Sequence, residues 1–185
     1  MQVLQPAIFF DRDGVLNRTF VRNGKPYAPR HLADFEIVPE AEGVASTLKR
    51  EGFQLIVVTN QPDVGNGLVP QETVEAMNRQ MLQTLPIDHV EVCFHSQTAG
   101  CNCRKPAPGM LLKAARKFGI GLGASFLIGD RHSDIEAGQR AGCRTVLIER
   151  GYREPVTTEP DFTTRSLQGA SEWILSHHSD PAHRR

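Results

Sequence analysis

The sequence lacks an excess of charge of either sign, a long apolar run and an export signal. Its 185 residues contain 21 Lys plus Arg and 21 Asp plus Glu. Because these charges balance, no overall field attracts nucleic acid or an anionic membrane, and we expect neither as a partner. No segment reaches the apolar length that crosses a bilayer, and the first residues do not have the pattern of a signal peptide. The cytoplasm is therefore the predicted location, and binding specificity must come from a local site.

Cysteine is also scarce, with four residues in the chain. In a chain without a predicted export signal, so few cysteines argue against a disulfide framework. Three of them fall between positions 93 and 103, and this clustering indicates a metal site. Cys143 stands alone before the apolar stretch RTVLI, where a small buried thiol is expected.

Five short apolar runs predict β-strands, and the stretches between them have helical spacing. The predicted strands cover 7–10, 54–59, 89–94, 125–130 and 144–149, and the predicted helices cover 39–51, 70–84, 108–118, 133–141 and 167–176. This alternation predicts an α/β fold, with a doubly wound parallel sheet and helices on both faces. We expect one domain over residues 1–176 and a polar tail over 177–185, because the length suits one sizeable core.

Polar side chains follow the predicted strands at the edge where such sheets bind ligands. Asp11 and Asp13 come after the first strand, and they project to the same side because they are two residues apart along an extended chain. Gly14 then allows a sharp departure from the strand. The alternative is a structural role, in which the two acids solvate a loop or cap a helix. The wider set of polar residues decides between these interpretations.

That wider set contains the groups that phosphoryl transfer requires. Asp130 adds a third carboxylate at the end of another strand, and Asp134 offers a fourth. Clustered carboxylate oxygens suit Mg²⁺. Lys105 contributes an ammonium group, and Thr59 contributes a hydroxyl and the start of a turn with exposed amides. The phosphoryl group is an anion during its transfer, and these groups are the kind that stabilise it.

The stretch CFHSQTAGCNC contains a complete ligand set for zinc. Cys93, His95, Cys101 and Cys103 supply three thiolates and one imidazole, which form a closed tetrahedral site of the structural kind. Reduced cysteines without metal are the alternative. Because Arg104 and Lys105 directly follow Cys103, bound zinc would also fix the position of these basic residues.

Four motifs in this order, FFDRDGVLN, VVTNQ, CRKPAPGML and LIGDRHSD, resemble those of the haloacid dehalogenase (HAD) superfamily of phosphatases. Within that superfamily, the chain resembles the heptose 1,7-bisphosphate phosphatases and the related histidinol phosphatases. The resemblance implies a Rossmann-like HAD fold and a zinc-binding loop before CRKP. The intervals between the motifs have no room for a sizeable cap domain, so we expect a capless enzyme with an open site.

The resemblance also implies a role for each motif residue. Asp11 would be the nucleophile that forms an aspartyl-phosphate, and Asp13 would be the general acid and base. Thr59 and Lys105 would hold the phosphoryl oxygens. Asp130 would bind Mg²⁺ together with the Asp11 carboxylate and the Asp13 backbone carbonyl. Further residues of these motifs are expected to contact the substrate, namely Arg12, Asn60, Gln61, Arg104 and Arg131.

The loop after TNQ departs from the pattern of the heptose phosphatases. Pro62 removes a backbone donor, and Asn66 stands where those proteins commonly have a basic residue. Arg18, Arg22 and Lys25 in the 17–30 loop could replace that charge at the substrate. A solvated basic loop is the alternative.

The leading functional hypothesis is a Mg²⁺-dependent phosphatase that removes the C7 phosphate of a heptose 1,7-bisphosphate. Histidinol phosphate is the alternative substrate of the same enzyme class. A phospho-acceptor module would need neither the acid-base role of Asp13 nor the zinc loop. A zinc-stabilised nucleic-acid binder would need a basic excess that the chain lacks. A monomer is expected, with a phosphorylated sugar as the partner.

Overall fold

A computed structural model describes residues 4–178, and six parallel strands form its central sheet. These strands are β1 (Ala7–Phe10), β4 (Gln54–Asn60), β5 (His89–Cys93), β6 (Phe126–Gly129), β7 (Arg144–Ile148) and β8 (Phe162–Thr164). Their order across the sheet is β5-β4-β1-β6-β7-β8. Every neighbouring pair is parallel. A separate antiparallel hairpin consists of β2 (Phe20–Arg22) and β3 (Lys25–Tyr27).

Six helices accompany the strands, and five of them coincide with predicted helices to within two residues. They are α1 (Ala41–Arg50), α2 (Pro62–Gly65), α3 (Gln71–Thr84), α4 (Gly109–Phe118), α5 (His132–Ala141) and α6 (Leu167–His178). The helices α4 and α5 end at Gly119 and Gly142, whose φ angles of 67° and 88° lie in the left-handed region. Glycine adopts this region at little cost, which explains these two helix ends.

Two apolar layers enclose the sheet, one on each face. Along β1, Ile8 and Phe10 belong to one layer, whereas Ala7 and Phe9 belong to the other. Successive side chains of a strand point to opposite faces, so a strand buried on both faces is apolar at every position. Residues of α1, α3 and α6 complete the first layer, and residues of α4 and α5 complete the second. The predicted doubly wound fold is confirmed.

Among the strands and α-helices, four short elements were not predicted, namely β2, β3, α2 and β8. The 17–30 loop contains the hairpin β2–β3, whose turn residues Asn23 and Gly24 have φ angles of 52° and 74°. An Asn-Gly pair is a strong hairpin signal, which the sequence does contain. The strand β8 has three residues and α2 has four, too few for a periodic pattern to emerge.

Residues between the principal elements form no inserted domain within 4–178. The hairpin, a short 3-10 turn and α1 lie between β1 and β4, as the capless prediction requires. Helix α6 extends to His178 and so includes the first two residues of the predicted tail. The remainder of that tail, 179–185, lies outside the described residues. Among the described helices, none is both long and apolar enough to cross a membrane.

Candidate active site

The sheet topology brings the predicted catalytic residues to one edge. Because β1 lies between β4 and β6, Asp11 after β1 is flanked by Thr59 in β4 and by Asp130 after β6. A cavity of about 290 Å³ opens at this edge. Eight of the predicted site residues line it: Asp11, Asp13, Asn60, Gln61, Arg104, Lys105, Asp130 and Arg131.

Asp11 is buried and bound to a lysine. Its Oδ1 accepts one hydrogen bond from the Lys105 ammonium at 2.8 Å and another from the Arg12 backbone N–H at 2.8 Å. Burial raises the pKa of Asp11 to about 7, although Lys105 opposes this shift. The carboxylates of Asp134 and Asp13 raise the same pKa further. A nearby cation would therefore favour the ionised form that a nucleophile needs.

Lys105 uses all three of its N–H donors inside the protein. Besides Asp11, its Nζ donates to Asp134 Oδ1 at 2.7 Å and to the Val58 carbonyl at 2.7 Å. Burial alone lowers the pKa of Lys105, but Asp11 and Asp134 raise it above the usual range. The ammonium therefore stays charged and fixed beside Asp11.

Asp130 presents one free oxygen at the site. Its Oδ2 accepts a hydrogen bond from the Tyr152 hydroxyl at 2.7 Å, whereas its Oδ1 is buried without a hydrogen-bond partner. Burial raises the pKa of Asp130 well above its ordinary value, and Asp11 and Asp134 add to this shift. Oxygens of these three acids lie within 4.8 Å of one another. An acidic cluster in which one Asp130 oxygen has no partner fits a divalent cation.

Asp134 does not behave as a fourth open ligand, because both of its oxygens are engaged. Oδ1 binds Lys105, and Oδ2 accepts a hydrogen bond from the Arg131 backbone N–H at 3.0 Å. The residue thus ties the start of α5 to Lys105.

Asp13 is held by three donors, two from its own turn and one from the segment after β4. Arg12 Nη2 lies 3.0 Å from Oδ1, Asn17 Nδ2 lies 3.0 Å from the same oxygen, and Gln61 Nε2 lies 2.6 Å from Oδ2. These bonds fix the carboxylate at the cavity. A proton donor or acceptor at this position would be well oriented.

The prediction that Arg12 contacts the substrate is wrong. Its side chain is 0% exposed, and its Nη1 donates to Asn78 Oδ1 on α3 at 2.9 Å. The guanidinium group also lies over the Phe35 ring, 5.4 Å from the centroid. Arg12 turns into the protein because Asp13 and Asn78 satisfy its charge and donors there.

Thr59, Asn60 and Gln61 use their polar groups within the site. The Asn60 side chain donates to the Lys105 carbonyl and accepts from the Lys105 N–H, both at 3.1 Å. Gln61 Nε2 donates to Asp13 and, at 2.8 Å, to the Thr59 hydroxyl. Thr59 is fully buried and does not line the cavity. These three residues connect β4 to the two catalytic candidates Asp13 and Lys105.

Two arginines lie at the cavity wall and differ in whether their guanidinium groups are paired. The Nη1 atom of Arg104 is buried without a hydrogen-bond partner. The guanidinium group of Arg131 instead forms an ion pair with Glu154, including an Nε–Oε2 distance of 3.2 Å. Arg104 thus lines the cavity with one donor unsatisfied, whereas the charge of Arg131 is already neutralised by Glu154.

The structure places Arg18 and Arg22 outside the cavity that contains Asp11. Arg18 pairs with Glu36 at 2.8 Å and lines a neighbouring cavity of about 310 Å³. Arg22 lies exposed on β2. That these two arginines supply substrate-binding charge therefore stays a prediction, with Arg18 already paired to Glu36. Tyr27 at the end of the hairpin and Arg30 beyond it line the cavity, and no motif had singled out either residue.

The four predicted zinc ligands converge at the end of β5. The Sγ–Sγ distances are 3.6 Å for Cys93–Cys101, 3.3 Å for Cys93–Cys103 and 3.5 Å for Cys101–Cys103. His95 Nδ1 lies 3.6 Å from Cys93 Sγ and 3.2 Å from Cys103 Sγ. Zinc–sulfur bonds of about 2.3 Å place two ligand sulfurs roughly 3.8 Å apart, so the cluster fits a tetrahedral ion.

Two glycines let neighbouring helices approach this Cys/His cluster. A Cβ at Gly65 of α2 would lie 2.3 Å from the Ser96 nitrogen, and a Cβ at Gly109 of α4 would lie 2.1 Å from the Asn102 oxygen. Pro62 occupies the first turn of α2, where its missing N–H is not needed. Asn66 donates to Gln97 at 2.9 Å and so joins α2 to the loop.

The fold and the carboxylate-lysine site define a hydrolase of the HAD type. A family model described as HAD-hydrolase-like matches residues 102–170, a span that includes Lys105 and Asp130.

Curated relatives give the narrower assignment. The chain is 32% identical to the D-glycero-beta-D-manno-heptose-1,7-bisphosphate 7-phosphatase of Escherichia coli K12, over 95% of this chain and 91% of that protein. It is 31% identical to the protein of the same name from Yersinia pestis, over 95% and 92% of the two chains. The chain belongs to this family of HAD phosphatases.

A solved structure agrees with the fold over nearly its whole length. The D,D-heptose 1,7-bisphosphate phosphatase from B. bronchiseptica, complexed with magnesium and phosphate, superposes with a TM-score of 0.79 at 25% identity. The match covers 92% of this chain and 98% of that one.

Proposed function

We propose that this enzyme hydrolyses the C7 phosphate of D-glycero-D-manno-heptose 1,7-bisphosphate through an aspartyl-phosphate. The observation that carries this proposal is the position of Asp11, buried at the cavity and bonded to Lys105 at 2.8 Å. The names of the curated relatives support the choice of substrate.

In the first step, a carboxylate oxygen of Asp11 attacks the C7 phosphorus and the bond from phosphorus to the sugar oxygen breaks. The Asp13 carboxyl group donates its proton to that leaving oxygen, so the sugar departs as an alcohol. Lys105 offsets the charge that develops on the phosphoryl oxygens. To do so, its ammonium exchanges one of its internal bonds for a phosphoryl oxygen.

In the second step, water attacks the phosphorus of the aspartyl-phosphate. Asp13, now ionised, takes the proton from this water, and the bond from phosphorus to Asp11 breaks. Inorganic phosphate forms, and both aspartates return to their starting states. The bonds from Arg12, Asn17 and Gln61 keep Asp13 in place through both steps.

We propose that the Asp11 carboxylate, the Asp13 carbonyl and the Asp130 carboxylate hold Mg²⁺. The unpartnered Oδ1 of Asp130 and the crowding of acids support this ligand set. When bound, the ion offsets the negative charge of the phosphoryl group and aligns it with Asp11. The related B. bronchiseptica structure contains magnesium and phosphate.

We propose that the second phosphate of the substrate reaches Arg104. Its buried, unpartnered Nη1 is a donor without an acceptor, and a phosphate oxygen would satisfy it. Arg131 contributes less because Glu154 already neutralises it.

We further propose one structural Zn²⁺ at Cys93, His95, Cys101 and Cys103. The ligand spacing supports this assignment. Because Lys105 is two residues beyond Cys103, the zinc loop would hold the lysine that contacts Asp11.

We propose a place for the reaction in the cell. The enzyme acts in the cytoplasm as a monomer. It contributes there to nucleotide-heptose synthesis for a bacterial surface polysaccharide.

The experiment that tests the proposal is phosphate release, with Mg²⁺, from both anomers of heptose 1,7-bisphosphate, from histidinol phosphate and from fructose 1,6-bisphosphate. We expect kcat/KM for one heptose anomer to exceed the other values by about a hundredfold, equal to about 3 kcal/mol in transition-state binding. A preference for histidinol phosphate, or equally slow release from all four compounds, would contradict the substrate assignment.

A further inference from the structure

Tyr152 lies outside the four sequence motifs, yet it contacts Asp130 in the active site. Its hydroxyl donates to Asp130 Oδ2 at 2.7 Å. The Thr19 hydroxyl lies 3.1 Å from the same phenol oxygen. A phenol has one proton, so when Tyr152 donates to Asp130 the Thr19 hydroxyl must be the donor to Tyr152. A directed chain of two hydroxyl groups therefore ends on Asp130.

Because of this contact, one oxygen of Asp130 is hydrogen-bonded and the other is not. Within residues 4–178, the Tyr152 hydroxyl is the one hydrogen-bond donor found for the Asp130 carboxylate. The other oxygen, Oδ1, is buried without a hydrogen-bond partner, and the Asp130 carboxylate belongs to the cluster of acids with Asp11 and Asp134. Gly14 also approaches closely, since a Cβ there would lie 1.8 Å from Asp130 Oδ2. The hydrogen bond from Tyr152 thus fixes Oδ2, and Oδ1 is left for a ligand.

The segment that contains Tyr152 is fastened on both sides. Arg150 Nε donates to the Gly14 carbonyl at 3.0 Å, which ties the segment to the turn after β1. The Arg153 N–H donates to the Gly24 carbonyl at 2.8 Å, which ties it to the hairpin. The phenol between these anchors is therefore held in one position relative to Asp130.

We infer that Tyr152 is a positioning residue that orients Asp130 to bind a divalent cation through one oxygen. The inference rests on the proposed function, which makes Asp130 a cation ligand. Mg²⁺ demands near-ideal octahedral geometry, so a carboxylate that turns freely is a poorer ligand. Partners that orient a metal ligand commonly change metal affinity by about 10-fold to 100-fold when they are removed.

The test is a titration of the metal-free site with Mn²⁺ in the absence of substrate. The EPR signal of unbound Mn²⁺ measures how much of the ion has bound. For Tyr152→Phe we expect a Kd at least about tenfold above that of the wild-type protein. The matched control is Tyr27→Phe, which removes the other phenol of the chain, at the cavity wall, whereas the hydrogen bond to Asp130 comes from Tyr152. The control should keep the wild-type Kd for Mn²⁺. A wild-type Kd in folded Tyr152→Phe would overturn the inference.

A second variant and a kinetic measurement separate positioning from a purely structural role. Thr19→Val removes the donor to Tyr152 and should raise the Mn²⁺ Kd in the same direction but by a smaller factor. Phosphate release by Tyr152→Phe should require about tenfold more Mg²⁺ for half-saturation and should recover when Mg²⁺ is in excess. Loss of activity that excess Mg²⁺ does not restore, with unchanged Mn²⁺ binding, would contradict the inference.

The same titration distinguishes failure of the inference from failure of the proposed site. Wild-type protein that binds no Mn²⁺ would overturn both. Wild-type protein and Tyr152→Phe with equal Mn²⁺ affinities would overturn the role of Tyr152 alone.

Discussion

At the scale of single residues, buried charge dominates the site. Arg12 and Lys105 are both inside the protein, where Arg12 pairs with its neighbour Asp13 and Lys105 pairs with the distant Asp11 and Asp134. Lys105 was expected at the phosphoryl group, and its contact with Asp11 supports that role. Arg12 was misassigned because its partner Asn78 is 66 residues away. A contact at that separation leaves no trace in a local motif.

Arg12→Met tests whether Arg12 positions Asp13. We expect the free energy of unfolding to fall by about 3 kcal/mol, because a buried charge pair is broken and Asn78 loses its donor. We also expect kcat to fall by about tenfold with little change in KM, since a misoriented Asp13 transfers protons poorly. Urea denaturation and steady-state phosphate release measure these effects.

The control for this substitution is Arg22→Met on the exposed face of the hairpin. It should change the free energy of unfolding by less than about 0.5 kcal/mol. A raised KM with unchanged kcat in Arg12→Met would instead indicate that Arg12 contacts the substrate.

Gly14→Ala tests the close approach of the turn after β1 to Asp130. Gly14 and Gly52 have φ angles of 87° and 91°, so alanine is strained at both by about 1 kcal/mol. Only at Gly14 would the new Cβ collide with Asp130, because nothing lies within 4 Å of a Cβ at Gly52. We expect Gly14→Ala to lose about 2 kcal/mol more than Gly52→Ala in urea denaturation. We expect it to release little phosphate as well, whereas active Gly14→Ala would contradict the account.

At the scale of elements, long apolar runs were predictable and short segments were not. The predicted bounds of the five longer strands agree with the structure to within one residue, and β1, β4 and β6 among them contain four or more consecutive buried residues. The elements β2, β3 and β8 have three residues each and are mostly exposed or half-buried, so burial imposes no pattern on them. Tyr152 lies in the irregular stretch between β7 and β8, and no sequence signal linked it to Asp130.

The prediction for this scale concerns the proposed zinc site in the loop from β5 to α4. Cys101→Ser should reduce zinc from about one ion per chain to a small fraction, and should lower the free energy of unfolding by more than about 2 kcal/mol. Its kcat/KM should also fall, because the loop positions Arg104 and Lys105. Elemental analysis, urea denaturation and phosphate release measure these changes.

Cys143→Ser is the matched control for the loop. Cys143 is a buried thiol outside the Cys/His cluster, as expected from its apolar surroundings. The variant should retain its zinc and lose about 1 kcal/mol, the cost of burying a hydroxyl in place of the thiol. Negligible zinc in wild-type protein purified without chelators would contradict the zinc assignment.

At the scale of the whole molecule, topology assembled a site that the sequence could only outline. The rule that ligands bind beyond the carboxyl ends of parallel strands brought Asp11, Thr59 and Asp130 together correctly. The rule says nothing about side-chain orientation, and this is why Thr59 is enclosed behind Gln61 and why Arg18 faces a different cavity. The single domain over residues 1–176 stays a prediction.

The oligomeric state is the prediction that belongs to this scale. The acids and the lysine of the site all come from one chain, so no second copy is needed to complete it. We expect sedimentation equilibrium to give the 20.5 kDa mass of one chain at micromolar concentration. A particle of twice that mass would contradict the monomer.

The central claim is that Asp11 becomes phosphorylated during turnover. The most direct measurement is a rapid acid quench of wild-type enzyme with heptose 1,7-bisphosphate and Mg²⁺, followed by mass spectrometry of the peptide that contains residues 7–17. The account predicts one added phosphoryl group on Asp11 before steady state, and none in Asp11→Asn, which should also release no phosphate. Product formation by wild-type enzyme with no phosphoryl group on Asp11, or with one on another residue, would contradict it.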